Sequence, residues 1–215
     1  MKIRTIFAIL CAAVAAFAGS APGLAQQVAE QPLAPAAVEP ENILYLDLST
    51  GGRVTIQLYP LLAPAHVERI KTLARSGFYN GIVFHRVIEG VIAQTGDPTG
   101  TGAGDSDLPN LNAEFSTVPH LRGTVSMART QDENSANSQF FICFQPQFSL
   151  DNKYSVFGRV TAGMAFVDAI ARGEPPAQPD RIIQASIAAD NKPPPVFAPA
   201  APPPAPAEPP ISVSE

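Results

Sequence analysis

The sequence predicts a mainly β domain: an antiparallel sheet that closes into a barrel, with two helices against it. Three observations lead there. Short apolar segments of strand length recur through residues 42–190 and are separated by glycine-rich turns. Only two stretches have helical spacing, and they do not alternate strictly with the strands, which argues against a doubly wound parallel sheet. A sheet of so many strands exposes the fewest unpaired edges when it curls shut.

The elements follow in chain order. Leu44, Leu46 and Leu48 alternate with polar residues, as do Val54, Ile56 and Leu58, and Ser49-Thr50-Gly51-Gly52 lies between them, so the pair reads as a hairpin. A helix comes next, with Pro64 in its first turn, Val67, Ile70, Leu73 and Ala74 on one face, and Gly77 as its stop. From Gly81 to Gly158 the signals are strands and turns: IVFHRVI, VIAQT, GTVSMA, SQFFICF and YSVFGRV. The stretch AGMAFVDAIARG reads as a second amphipathic helix with Met164, Val167 and Ile170 on one face, and RIIQASIAA closes the domain.

The ends have a different composition. Lys2 and Arg4, an apolar run from Ile6 to Phe17 and the small-residue site Gly23-Leu24-Ala25 read as a secretory signal peptide over residues 1–25. Cys11 lies inside the apolar run and is no lipid-attachment cysteine; no twin arginine is present, so a general secretory route in a bacterium is expected, ending in the periplasm or outside the cell. The membrane is then met only in transit. Residues 26–41 read as a linker, and residues 191–215 as an extended tail, because ten of the 23 prolines fall between Pro193 and Pro210.

Composition and spacing exclude several chemistries. Removing the signal takes away two of the 14 basic residues and none of the 19 acidic ones, so an acidic chain without basic clusters remains, unsuited to nucleic acid. Cys143 is then the lone cysteine; it sits in FFICFQ, a buried-strand context unsuited to a thiol nucleophile. His66, His85 and His120 lie on different elements without metal-ligand spacing, so no metal is expected, and His85 reads as a strand histidine with its hydrogen bonds satisfied. No GxSxG, P-loop or dinucleotide fingerprint occurs, and the glycine-rich TGTGAGD precedes no helix that could bind phosphate. No cofactor is expected.

One feature stands out against this background. Arg86 and Gln94 are long polar side chains set in the apolar stretch FHRVIEGVIAQTGDP, where an arginine is costly unless it is paired or faces a ligand. The segments FHRVIEG, AQTGDPTGTG, GTVSMART, NSANSQFFICF and LDNKYSVFGRV, in this order, resemble the cyclophilins, peptidyl-prolyl cis–trans isomerases, and SMART…NSANSQFF is similar to their bacterial, exported branch. The resemblance covers essentially all of residues 42–190. It implies a closed eight-stranded antiparallel barrel capped by two helices, a substrate groove on the outer wall, and proline-containing segments of unfolded exported proteins as substrates for a monomeric enzyme.

The resemblance also implies roles for residues. Arg86 matches the catalytic arginine, Gln94 the glutamine that orients it, and Phe141 the aromatic floor of the proline pocket. Gln139 shares the outward strand face with Phe141, whereas Phe140, Ile142 and Phe144 face the core. Ala128, Arg129 and Thr130 match the edge segment whose backbone pairs with the peptide, so the charge of Arg129 is expected to be incidental. Leu150 and Tyr154 match further pocket positions. A three-residue loop Glu89-Gly90-Val91 would set Arg86 opposite Gln94, whereas a two-residue Glu89-Gly90 loop would place them on opposite faces. The residues allow both, and the resemblance favours the first.

The chain departs from the family at three places. Val91 and Ile92 stand where most relatives have phenylalanine and methionine, which makes two pocket walls smaller and stiffer. Ser149 falls at the tryptophan position important for cyclosporin, with Phe148 beside it as the candidate to fill that space. These departures leave a competing expectation: a catalytically weak chaperone or peptide-binding module on the same fold.

Overall fold

A computed structural model describes residues 39–196. The predicted signal peptide, most of the predicted linker and the tail beyond Val196 lie outside the described residues. Eight strands form one antiparallel sheet: β1 (Ile43–Leu48), β2 (Gly52–Leu58), β3 (Arg86–Ile88), β4 (Ile92–Thr95), β5 (Thr124–Met127), β6 (Phe140–Cys143), β7 (Val156–Ala162) and β8 (Ile182–Ile187). Their spatial order is β3-β4-β6-β5-β7-β2-β1-β8, a curled half-barrel.

Alternation decides what fills the interior. Leu44, Leu46 and Leu48 of β1 and Val54, Ile56 and Leu58 of β2 are buried together with Phe84, Phe140 and Phe157. Tyr79 and Phe157 meet Phe140 edge-on, with ring centroids 5.5 and 5.9 Å away. The Tyr79 hydroxyl donates to the Ser138 carbonyl at 3.0 Å, so its polar end is satisfied inside the core. Helix α1 (Pro64–Arg75) covers one end with Val67, Ile70, Leu73 and Ala74 buried, as its spacing predicts.

Two expectations are met only in part. The barrel does not close by a continuous ladder, because no strand pairing joins β3 to β8. Instead the residues before β3 form the seam. Val83 bridges Arg181, Phe84 N donates to Asp180 O at 2.8 Å, and Ile182 N donates to Ile82 O at 2.9 Å. That shortens β3 relative to the IVFHRVI segment.

The second helix, α2 (Met164–Asp168), is also shorter than the predicted twelve-residue stretch. Beyond Ala169 the chain finds other partners: Ala171 N donates to the Asp180 carboxylate at 2.9 Å, and Gly173 pairs with Val87. Helix α2 still docks where the hairpin needs it. Gly52 lies under the Phe166 ring so closely that a Cβ there would collide with it, which explains the second glycine of the β1–β2 turn.

The ordered fold extends past its predicted boundaries. Glu41 pairs with Arg75 at 2.8 Å, Asp190 pairs with the same guanidinium at 3.1 Å, and Gln184 donates to Pro193 O at 3.0 Å. No helix among the described residues is long and apolar enough to cross a membrane.

Candidate active site

The β3–β4 hairpin adopts the three-residue loop. Ile88 pairs with Ile92, Val87 with Ala93 and Arg86 with Gln94, which leaves Glu89, Gly90 and Val91 as the connection. Gly90 has φ 67°, a left-handed conformation that glycine takes without steric cost, and Val91 N closes the turn on Ile88 O at 3.0 Å. Arg86 and Gln94 therefore project from the same, outer face. On β6, Gln94 pairs with Phe141.

These side chains form a relay with one possible polarity. The Gln139 amide nitrogen donates to the carbonyls of Gly104 at 2.8 Å and Gly102 at 3.2 Å. Carbonyls only accept, so Gln139 must turn its oxygen to Gln94, whose Nε2 donates to it at 3.0 Å. Gln94 in turn presents its own oxygen to Arg86 Nη1, 3.5 Å away. Asp97 shapes the loop that starts the relay, accepting from Thr99 N at 2.7 Å and Gly102 N at 2.5 Å. Burial alone would raise its pKa, but hydrogen bonds from Thr99, Gly104 and Gly102 outweigh that and hold it at about 2.

Phe141 is the floor. It sits in a small buried cluster with Ile92 and Cys143, outside the main core, with Ile88, Val91, Ala128, Leu150 and Tyr154 packed around it. Tyr154 meets it edge-on at 5.6 Å, and His120 stacks on it at 6.1 Å with 21° between the planes. His120 accepts or donates at both ring nitrogens, with Ser126 Oγ at 2.9 Å and Asp151 Oδ1 at 2.8 Å. The distances are those of a hydrolytic serine–histidine–aspartate set, but Ser126 and His120 are wholly buried, so no substrate carbonyl reaches them. Their arrangement supports the floor. Cys143 is likewise buried, and burial pushes its thiol up to about 12.

The predicted residues divide between two adjoining hollows. Arg86, Val91, Ile92, Phe141, Leu150 and Tyr154 line one cleft. Thr130 and Gln139 line the next, with Asp105 and Ser135, and Gln94, Ala128 and Arg129 form the ridge shared by both. Ala128 N is bonded to Gln139 O at 2.9 Å, which anchors the edge segment to β6.

A model of the cyclophilin-type peptidyl-prolyl cis–trans isomerase family matches residues 45–187. The chain belongs to the cyclophilins. It is 48% identical over 172 residues to a probable peptidyl-prolyl cis–trans isomerase of Brucella suis, covering 73% of this chain and 87% of that one. Among solved structures it is similar to the cyclophilin AquaCyp293 from Hirschia baltica (TM-score 0.66, 32% identity, 71% of this chain and 76% of that one). It is also similar to a Cryptosporidium parvum cyclophilin-type isomerase crystallised in the presence of the dipeptide Ala-Pro (TM-score 0.63, 26% identity, 67% and 98%). The chain is thus a peptidyl-prolyl cis–trans isomerase.

Three sequence readings of this cyclophilin need correction. The charge of Arg129 is not incidental: its guanidinium donates to Lys153 O at 2.9 and 3.0 Å and to Thr130 O at 2.9 Å, and lies over the Tyr154 ring at 4.7 Å from its centre. It clamps the edge segment to the Tyr154 loop. Phe148 does not fill the tryptophan space, because it is 64% exposed while Ser149 lines the cleft. His85 is buried, yet neither ring nitrogen has a protein partner, and burial lowers its pKa.

Sequence reasoning missed four contributors to the cyclophilin groove: His120, Ile88, Gln147 and Glu174. Gln147 lines the cleft and ties the hairpin turn down by donating to Gly90 O at 3.1 Å. Glu174 Oε2 accepts from Arg86 Nε at 2.7 Å. Asp151 follows directly on Leu150 in a quoted motif, so a partner for the buried His120 could have been sought there. Nothing local marks Glu174.

Proposed function

We propose that this isomerase accelerates rotation about X-Pro bonds in exported proteins as they fold, with Arg86 stabilising the twisted amide. The observation that carries the reading is the oriented relay from Gly104 through Gln139 and Gln94 to Arg86, beside the Phe141 floor. Amide resonance sets a barrier of roughly 18–20 kcal/mol, so uncatalysed rotation takes tens to hundreds of seconds. No covalent bond need form; the enzyme has only to bind the twisted amide better than either planar isomer.

As the amide twists, its nitrogen pyramidalises and gains a lone pair. A guanidinium held beside it donates a hydrogen bond that the planar nitrogen accepts poorly. A guanidinium does not give up its proton in proteins, so the contribution is electrostatic rather than proton transfer. The proline ring rests on Phe141 between Leu150, Val91 and Ile92, and the peptide backbone runs along Ala128, Arg129 and Thr130. The Ala-Pro dipeptide present with the Cryptosporidium parvum neighbour supports a proline-containing ligand for this groove.

Export rests on the residues at the N-terminus. Their charged, apolar and small-residue regions suit a secretory signal, which places the client proteins in a bacterial envelope. Intact mass of the exported protein is expected to show Gln26 as its first residue; a retained N-terminus overturns the export reading.

The mechanism is tested by Arg86→Ala in an Ala-Pro peptide isomerisation assay. Losing one oriented donor costs about 10²–10³ in rate. Melting is expected to be unchanged, because the side chain is 44% exposed and outside the core. A folded variant with wild-type activity overturns the mechanism.

A further inference from the structure

Glu174 is the carboxylate in contact with Arg86, and it comes from a segment that is 88 residues away in sequence. Two backbone hydrogen bonds and an ion pair strap that segment onto the hairpin. Gly173 and Val87 exchange both backbone hydrogen bonds, at 2.8 and 2.9 Å. Arg172 pairs with Glu89 at 2.7 Å and lies over the Phe144 ring at 4.3 Å from its centre. Arg172 Nη1 also donates to the Ile170 carbonyl.

Local sequence stiffens the strap further. Gly173 has φ 147°, and a Cβ there would sit 2.6 Å from Pro176 Cα and 2.8 Å from the Pro175 carbonyl oxygen, so only glycine fits. A proline after Glu174 restricts the backbone of Glu174 itself. The backbone that carries the carboxylate is therefore held in place without help from the ion pair with Arg86.

We propose that Glu174 is a positioning residue for the isomerase reaction, gripping Arg86 by Nε so that its terminal nitrogens stay directed at the groove. The inference rests on Arg86 being the catalytic donor. An arginine that is 44% exposed has many rotamers open to it, and Gln94, at 3.5 Å from Nη1, restrains only one end of the guanidinium. Two restraints on different nitrogens of a rigid planar group define its plane; one does not. Such an exposed pair adds little to stability, so its effect belongs to preorganisation.

The test compares Glu174→Ala, Glu174→Gln and Arg86→Ala in the full mature protein, with Ala-Pro peptide exchange followed by NMR so that no coupling protease is needed. Glu174→Ala is expected to lower kcat about tenfold with KM within about twofold, the pattern of a misaligned donor. Glu174→Gln keeps an acceptor oxygen and should recover part of the loss. Salt supplies an independent readout: between about 0.01 and 1 M the screening length falls from roughly 30 to 3 Å, so wild-type kcat should fall while that of Glu174→Ala stays flat. If Glu174→Ala keeps or exceeds wild-type kcat while Arg86→Ala is inactive, the positioning role is overturned and the mechanism stands. If Arg86→Ala is itself active, the mechanism falls and this inference with it.

Discussion

The two faces of β6 have unequal tasks. Phe140 points inward and is packed edge-on between Tyr79 and Phe157 in the main core. Phe141, the next residue, points outward onto His120 and Tyr154 in a separate small cluster. Both rings are almost fully buried, at 0% and 3% exposure, so burial alone does not distinguish them. What differs is the neighbourhood. The inward ring is enclosed by rigid aromatic and aliphatic partners, whereas one side of the outward ring faces a cleft. A period-two strand thus separates stability from binding, and one face can change without dismantling the other.

The sharpest way to break that comparison is to truncate each ring. Phe140→Ala should cost about 3–5 kcal/mol in urea unfolding, from lost transfer energy and a residual cavity. Phe141→Ala should cost clearly less stability and abolish most isomerase activity, since it removes the floor of the cleft. Equal losses of stability would mean that the outer cluster is as much part of the core as the inner one.

Acid is expected to act in two separate pH ranges. Burial lowers the pKa of His66, on α1, and of His85, before β3, below the ordinary 6.5. The unfolded chain then binds protons that the folded one resists, so stability is expected to fall as pH drops below about 6.5. Asp97, on the groove side, has a depressed pKa, so its contribution is present above its ordinary 3.8 and is lost as pH falls towards about 2. Melting temperature measured from pH 7.5 down to 2.5 should show both legs, and Asp97→Asn should remove the lower one. Stability that rises between pH 6.5 and 5 would overturn the histidine assignment.

The smallest effect is expected from refitting the cleft walls. Val91 and Ile92 both line it, and valine leaves contacts to a proline ring that phenylalanine would make. The double variant Val91→Phe/Ile92→Met should lower KM a few-fold with kcat little changed, because the lost contacts act on planar and twisted states alike. An unchanged or higher KM in a folded protein would show that the cleft is already complete.

Much of this was legible residue by residue. The apolar alternation in ILYLDL and GRVTIQL marks both the strands and their buried faces, because side-chain direction along a strand is a local property. The prediction for α1 holds because proline, helical spacing and glycine all fall within one segment. The prediction for α2 fails after Asp168, where the apolar pattern continues but Asp180, Val87 and Glu89 compete for the chain. Propensity cannot register a partner that arrives through space.

Neighbouring residues specify the strand segments, the two alternating faces of β6, and an arginine where only a ligand or a partner would justify one. Tertiary structure decided the three-residue register that brings Arg86 beside Gln94, the irregular seam in place of a closed ladder, and the polarity of the amide relay. It also decided the carboxylate on Arg86. The reason is that alternation is written in neighbouring residues, whereas register, closure and hydrogen-bond direction depend on satisfying donors and acceptors that meet only once the sheet has curled.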